Sequence, residues 1–178
     1  EIMFIGEGPG FHENEQGRPF VGPAGKFLDE LLENAGYKRS QVFIANVVKC
    51  RPPGNRDPLP EELAACGVYL NRQIETIDPR VIVTLGRISM GKFLPYARIS
   101  EVHGKPFWVN ERLIVAMYHP AAALHQPSLK TTIIDDFHRL REIIETARAA
   151  DQKKTSATTE IHGEPDKPEE PPEQLSLF

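Results

Sequence analysis

The sequence predicts a three-layer α/β/α sandwich built on a central, mainly parallel sheet of four strands. Four short segments, rich in apolar and β-branched residues, are typical of buried strands. Segments in which apolar residues recur at helical spacing separate them. Strands that alternate with helices form parallel sheets whose two faces are covered by those helices. The predicted strands are residues 2–5, 41–49, 81–85 and 113–118.

Helical patterns occupy the intervals between these strands. Phe27, Leu28 and Leu31 lie on one face of a predicted helix, and Pro60 suits the first turn of another. Residues 98–111 show no clear period, so we expect an irregular connection there. The predicted helices are residues 26–34, 60–76, 87–94 and 129–149.

The 178 residues suit one folded domain, residues 1–150, followed by a tail. Residues 151–178 contain seven acidic and three basic side chains and no regular period, which predicts a disordered acidic tail. The first 150 residues hold 18 charged side chains of each sign. Overall charge therefore gives no sign of nucleic-acid binding, and any such surface must arise from local clusters and backbone amides. The cluster that stands out consists of Lys49, Arg51 and Arg56.

Composition also bears on the compartment of the protein. The apolar runs are too short to span a bilayer, and the first residues show no signal-peptide pattern. Two cysteines without a secretion signal suit a reducing compartment, so we expect a cytoplasmic protein without membrane contact. Because Glu1 directly precedes an apolar strand segment, we expect further residues upstream of it.

Three unusual loops directly follow predicted strands. They comprise residues 7–20, 46–56 and 119–126. Ligands of parallel α/β sheets bind at the carboxyl ends of the strands. We therefore expect the three loops to gather at one edge of the sheet and to form a binding site.

The first loop is rich in glycine and carries two carboxylates, Glu7 and Glu13. Alternate glycines within residues 6–10 resemble a dinucleotide-binding fingerprint, but Pro9 and the late start of the next helix disagree with that motif. No lysine follows the glycines, which excludes a phosphate-binding P-loop. Carboxylates at the mouth of such a crevice suit activation of water or recognition of a substrate.

Asn46 and His119 begin the other two loops. The side-chain amide of Asn46 offers a donor and an acceptor to the edge of a planar ligand, although a strand asparagine also serves structural hydrogen bonds. His119 precedes a proline, which holds it in extended geometry at a strand end. Taken alone, such a histidine is more often structural than catalytic.

Together, the motifs of these loops resemble those of family 4 uracil-DNA glycosylases. The matching segments are GEGPG with the following Glu13 and GRPFVG, then NVVKCRPP with NR and a proline after it, then HPA from His119. They occur in the family's order, and the resemblance covers essentially all of residues 1–149. It implies a monofunctional hydrolase of base excision repair, which flips uracil out of DNA, releases it from the deoxyribose and leaves an abasic site.

The resemblance also implies roles for individual residues. Glu7 matches the acidic residue that orients or activates the attacking water. His119 matches the residue that stabilises the charge developing on uracil O2. Phe20 matches the aromatic residue that stacks on the flipped base, and Asn46 matches the amide that pairs with the uracil edge.

Other positions match motif residues of the pocket or suit contact with DNA. Asn55 is assigned a supporting catalytic role, and Gly8 lets the backbone approach the base. Glu13 has a supporting role in the uracil pocket, and its loop is the predicted barrier to the C5 methyl group of thymine. Leu124 is a candidate wedge for the gap left by the flipped base. The residues expected to contact DNA phosphates are Lys49, Arg51 and Arg56.

The two cysteines, Cys50 and Cys66, would be free buried thiols in a generic protein. The resemblance implies instead that they are two of the four ligands of a 4Fe–4S cluster, which requires four thiolates. The family's other two ligands form a C-x-x-C pair upstream of the first strand. We expect the full-length protein to carry the cluster and this sequence to contain half of the ligand set.

The last five residues, QLSLF, follow the acidic tail and resemble the peptide that binds the bacterial sliding clamp. Gln174 would be the polar anchor, with Leu175 beside it, and Leu177 and Phe178 would fill an apolar pocket. This implies a bacterial enzyme at replication forks. We otherwise expect a monomer whose substrate is uracil-containing DNA.

Two alternatives remain open at this point. One is a related glycosylase of different base specificity, such as the family 5 type, although the polar Glu7 is atypical of that family's first motif. The other is a DNA-binding repair module without catalysis. A relative that captures uracil-DNA covalently carries an inserted basic loop, which residues 50–60 lack, so we expect turnover.

Overall fold

The structure, a computed structural model, describes residues 2–160. The chain forms a compact unit, Glu1–Ala147, and a second unit that begins at Arg148. No helix within the described part is long and apolar enough to cross a bilayer. The predicted clamp-binding peptide at residues 174–178 lies outside the described residues.

The sheet confirms the predicted fold class and corrects its strand count. It has five strands in the order β2-β1-β3-β5-β4. Four of them are parallel, and β4 runs antiparallel to β5. The expectation of four strands is therefore wrong by one edge strand. The strands are β1 (Ile2–Gly6), β2 (Phe43–Asn46), β3 (Val81–Leu85), β4 (Pro106–Val109) and β5 (Arg112–Met117).

The extra strand, β4, lies in the segment that we expected to be irregular. Asn110 and Glu111 connect it to β5 with φ angles of 48° and 63°. A two-residue hairpin turn with two positive φ angles suits the twist of antiparallel strands. Phe107 and Val109 pack on the core while Trp108 is exposed, so the strand alternates as an edge strand should.

The described part of the chain contains seven α-helices, and several of them differ in position or length from the predicted helices. The short helices α1, α5 and α6 lie in segments predicted to be loops. The last helix runs to Glu160, so the prediction of disorder from residue 151 is wrong over its first part. The helices are α1 (Phe11–Gln16), α2 (Pro23–Asn34), α3 (Pro60–Ile77), α4 (Arg87–Gly91), α5 (Ile99–Val102), α6 (Pro120–His125) and α7 (Leu129–Glu160), with 3₁₀ turns at Arg39–Gln41 and Pro53–Asn55.

Two apolar layers sandwich the sheet, because successive strand residues point to opposite faces. On one face, Phe4 of β1 packs with Leu28 of α2 and Phe137 of α7, and the two phenyl rings stack at 6.3 Å. On the other face, Met3 of β1 packs with Leu70 of α3. All five side chains are fully buried, which fixes the strand register.

The strand order creates a crevice at the carboxyl edge of the sheet. From β1 the chain moves to β2 on one side, and from β2 it crosses to β3 on the other side of β1. Loops that leave neighbouring strand ends in opposite directions open a crevice in which α/β proteins bind ligands. The loops after β1, β2 and β5 all reach this edge.

Candidate active site

A cavity of about 380 Å³ lies at the carboxyl edge of the sheet. The three loops singled out from the sequence supply its walls, and every residue predicted for catalysis or uracil binding lines it. Its lining residues are Glu7, Gly8, Pro9, Gly10, Glu13, Phe20, Ala24, Asn46, Pro52, Asn55, Arg56, His119, Ala121, Ala122 and His125.

Gly6, the last residue of β1, allows two of these walls to meet. A Cβ atom at this position would lie 2.6 Å from Asn46 Oδ1 and 2.7 Å from the Phe20 ring. Gly8 is similar, because its Cβ would lie 2.6 Å from Val48 Cγ2. The glycines after β1 therefore serve close packing of loops, in agreement with the absence of a dinucleotide motif.

Phe20 is held in a strained conformation over the cavity. Its φ angle is 54°, in the left-handed region that costs a bulky residue about 1–3 kcal/mol. Gly25 in the first turn of α2 packs on it so closely that a Cβ there would lie 2.1 Å from the Phe20 carbonyl. The buried ring stacks on the imidazole of His119, with centroids 5.4 Å apart and planes inclined by 26°.

Glu13 fixes the segment that carries Phe20. Its Oε1 atom accepts hydrogen bonds from the backbone N–H groups of Val21 (2.9 Å) and Gly22 (2.8 Å). Burial raises the pKa of Glu13, but the hydrogen bonds from the backbone of Gly22 and its neighbours outweigh burial and leave the pKa below its ordinary value. Glu13 is therefore an ionised loop anchor as well as a wall of the cavity.

Asn46 presents an unsatisfied acceptor to the site. The residue ends β2 and is 6% exposed, and its Oδ1 atom has no hydrogen-bond partner among the described residues. A buried acceptor without a donor costs about 1–3 kcal/mol. A ligand that brings an N–H group to this atom would recover that free energy.

His119 is held as a neutral hydrogen-bond donor. The residue caps the N-terminus of α6, and its Nδ1 atom accepts a hydrogen bond from the backbone N–H of Ala121 at 3.1 Å. Since Nδ1 accepts, the neutral ring carries its hydrogen on Nε2. Burial lowers the pKa of His119 to about 4, against the opposing charge of Glu13. At neutral pH the ring therefore offers Nε2–H without a charge.

Glu7 is a half-buried carboxylate that also lines the cavity. Burial raises its pKa above the ordinary 4.5, Asp57 raises it further, and Arg87 lowers it. Asp57 and Arg87 form an ion pair between segments 30 residues apart. Sequence reasoning missed this pair, because no local pattern links two exposed charges at that separation.

The three predicted phosphate-binding cations are all engaged by other groups of the chain. Lys49 Nζ donates to Asn46 O (2.7 Å) and to Gln73 Oε1 (2.6 Å). Arg51 donates to Asn55 Oδ1, and Arg56 pairs with both carboxylate oxygens of a glutamate on α3. Only Arg56 of the three lines the cavity.

Leu124 and His125 lie side by side on α6. Leu124 is 52% exposed, as a wedge residue must be, but it does not line the cavity. His125 does line it, and the sequence analysis did not single it out. The sequence predicts a loop after His119, where the structure has the short helix α6, so the missed signal is the helical spacing within residues 120–125.

Cys50 and Cys66 come close to each other through Lys49. The Cys66 Sγ atom, on α3, accepts a hydrogen bond from the backbone N–H of Lys49 at 3.4 Å, directly before Cys50. Both cysteines are free, and Cys50 is exposed. Within residues 2–160, no group of three or more His, Cys, Asp or Glu side chains could hold a metal ion.

Comparison with known protein families agrees with this geometry. Residues 1–144 match the family described as the uracil DNA glycosylase superfamily. The chain belongs to this superfamily. Within it the chain is a type-4 member, since it is 48% identical over 160 residues to the type-4 uracil-DNA glycosylase of Sulfurisphaera tokodaii, covering 83% of this chain and 72% of that protein.

Two further relatives support the assignment to type 4. The type-4 enzyme of Archaeoglobus fulgidus is 47% identical over 152 residues, which cover 80% of this chain and 76% of that protein. A type-5 uracil-DNA glycosylase of Pyrobaculum aerophilum is 33% identical over 138 residues, covering 67% and 61%. The higher identity to the type-4 enzymes favours that group over the family 5 alternative.

The depressed pKa of His119 predicts an acid-dependent loss of stability. Below pH 6.5 the unfolded chain binds a proton at this residue, whereas the folded chain does so only near pH 4. The free energy of unfolding should therefore fall by about 2 to 3 kcal/mol more between pH 7 and pH 4.5 in the wild type than in H119Q. Urea unfolding of both proteins at the two pH values measures this difference. Equal pH dependence would show that His119 is not buried in its neutral form.

Proposed function

We propose that the chain is a uracil-DNA glycosylase that hydrolyses the N-glycosidic bond of deoxyuridine in DNA. The products are free uracil and an abasic site. The observation that carries the proposal is the buried, unpartnered Asn46 Oδ1 atom, which lies in one cavity with the Phe20 ring and His119. The type-4 relatives carry this activity in their names.

Asn46 supplies the base specificity in this proposal. Uracil presents an N3–H donor beside the O4 acceptor, which matches the Oδ1 acceptor and the amide NH₂ donor of asparagine. Cytosine presents an acceptor at N3 and an amino group at C4. The Oδ1 acceptor of asparagine would then face an acceptor, and its NH₂ donor would face a donor. A buried site built for one hydrogen-bond pattern rejects the other strongly, because its polar groups stay unpaired.

Phe20 and His119 act on the flipped nucleotide. A base taken out of the stack loses its neighbours, and the Phe20 ring replaces part of that contact. Cleavage of the glycosidic bond leaves negative charge on uracil, shared by O2. The Nε2–H group of His119 donates to that oxygen, and because the ring is neutral and fixed by Ala121 it needs no reorientation as the charge develops.

Glu7 activates or orients the attacking water within the cavity. A carboxylate acts as a base only when it is ionised, so activity is lost as the pH falls through its pKa. Burial places that pKa above the ordinary glutamate value, which makes Glu7 a stronger base than an exposed one. Asn55 has a supporting role, since Arg51 occupies its Oδ1 atom and leaves its NH₂ group for the water or the substrate.

Replacement of the three principal residues tests the proposed function. Uracil release from a uracil-containing oligonucleotide should fall by about 10² to 10³-fold in H119A, through loss of one donor to the anion. The rate of uracil release should fall by about 10² to 10⁴-fold in E7Q, and its pH–rate profile should lose the acid limb. N46A should lose rate on uracil and its preference for uracil over cytosine.

Glu101→Gln, on the exposed side of α5, is the matched control for E7Q and should keep full activity. The assay of the wild-type protein distinguishes an enzyme from a DNA-binding module without catalysis, because only an enzyme releases free uracil. Wild-type-like rates in both E7Q and H119A would contradict the proposed mechanism.

We also propose that Cys50 and Cys66 supply two thiolates to a 4Fe–4S cluster. The contact between Lys49 and Cys66 Sγ supports it, because it brings the two cysteines to one place on the surface. Four thiolates are needed and this sequence holds two cysteines, so the other two ligands must come from elsewhere. The cluster would hold its four ligands in fixed relative positions.

Iron content tests the cluster independently of activity. Full-length protein should contain about four iron atoms per chain and absorb visible light, and C50S and C66S should each lose most of both. Asp57→Asn, in the same proline-rich segment, is the control and should keep its iron. Colourless, iron-free full-length protein with full activity would refute the cluster.

We propose, finally, that residues 174–178 bind the sliding clamp of a bacterial cytoplasm. Support comes from the sequence: a peptide with a polar anchor and apolar side chains, at the end of a polar, acidic segment, suits docking in a groove. Deletion of residues 174–178 should abolish binding to purified bacterial clamp, measured by calorimetry, and spare uracil release. Unchanged clamp affinity after the deletion would contradict this.

A further inference from the structure

We propose that Lys49 is a positioning residue for the uracil-reading amide of Asn46 and not a phosphate-binding residue. This inference rests on the proposed function, because it concerns how the chain discriminates uracil. It departs from the expectation that Lys49 belongs to a DNA-contacting cluster.

The first support is the direction of the Lys49 side chain. Its Nζ atom donates to Asn46 O at 2.7 Å and to Gln73 Oε1 at 2.6 Å. An ammonium group has three donors, so two of them are already used within the protein. The side chain is partly buried, which further limits the approach of a phosphate.

The second support is the position of Asn46 at the edge of the sheet. β2 is an edge strand, and Val47 N donates across to Gly6 O of β1. Since successive residues of a strand direct their N–H and C=O groups to alternate sides, the carbonyl of Asn46 points away from β1 to the open edge. No neighbouring strand can satisfy it there, and Lys49 does so.

The third support is that Lys49 acts from outside the candidate active site. Asn46 lines the active-site cavity and also, with Pro9 and Glu13, a second cavity of about 460 Å³. Lys49 and Gln73 line only the second cavity. Lys49 therefore touches the backbone of the residue that reads the base, and it does not touch the space for the base itself.

Helix α3 anchors this arrangement. Gln73 lies on α3, and the Cys66 Sγ atom of the same helix accepts the backbone N–H of Lys49. Lys49 is thus bonded at both its main chain and its side chain to one helix, and its ammonium joins that helix to the end of β2. The loss of this bridge should free the Asn46 peptide to move relative to Gly6, which packs against both the Asn46 amide and the Phe20 ring.

The test compares K49M with Q73M in the full-length protein. K49M removes the donors and keeps the length of the side chain, and Q73M removes the anchor without removing any positive charge. Lys105→Met is the charge-matched control, because Lys105 donates to Glu101 O on an exposed segment. This substitution should leave every measured parameter unchanged.

Three measurements are made on each protein. They are the single-turnover rate of uracil release at saturating DNA, the inhibition constant of free uracil, and the salt dependence of DNA affinity. A displacement of about 1 Å at a reacting group costs about 10²-fold in rate. We expect K49M to lose about 10- to 100-fold in rate and to bind uracil more weakly, Q73M to change in the same direction, and the salt slope to stay that of the wild type.

A phosphate contact gives the opposite pattern. K49M would then keep its rate at saturation and its affinity for uracil, and the slope of log affinity against log salt would fall by about 1. That result, or a wild-type-like Q73M, overturns the positioning role. Should K49M fail to fold, Q73M decides alone. A wild type that releases no uracil contradicts the proposed function, whereas an active wild type with unaffected variants contradicts only the role of Lys49.

Discussion

The site depends on the missing side chain at Gly6. This residue ends strand β1, and any Cβ there would overlap both the amide oxygen of Asn46 and the ring of Phe20. The amide belongs to the neighbouring strand, and the ring belongs to a loop that α2 presses into place. The cavity therefore forms where Gly6 presents only backbone atoms to the amide of Asn46 and to the ring of Phe20.

Burial gives two titratable groups of the cavity, Glu7 and His119, opposite pKa shifts. An environment that excludes water favours the neutral form of every group, so it raises the pKa of Glu7 and lowers that of His119. For the histidine the result is an uncharged donor, with its hydrogen on Nε2 because Nδ1 caps α6. For the glutamate the result is a more basic carboxylate. Of the two charges near Glu7, Asp57 raises its pKa further and Arg87 lowers it.

Much of this could be predicted from the sequence, because the decisive signals are local. The β-branched runs located four of the strands, and the loops after three of them held all the residues later found around the cavity except Ala24 of α2. The edge strand β4 escaped prediction because it is short, begins with Pro106 and buries only one face. The loop-anchoring role of Glu13 escaped for another reason: its partners, Val21 and Gly22, are recognisable only once the loop has folded back. Pairings across a fold leave no period in the sequence.

Cys66 and the Gln73 partner of Lys49 share one face of α3, and this gives the proposed cluster a role beside the chemistry. Cys66 and Gln73 lie about two turns apart on α3, so both side chains face the same direction. Both side chains face Lys49, which donates hydrogen bonds to Cys66 Sγ and Gln73 Oε1. The Nζ atom of Lys49 also donates to Asn46 O at the end of β2. Hydrolysis of a glycosidic bond moves no electrons between substrate and protein. A cluster ligated by Cys50 and Cys66 would therefore contribute by fixing α3 against β2, and through that contact by holding the amide of Asn46 at the height of the base.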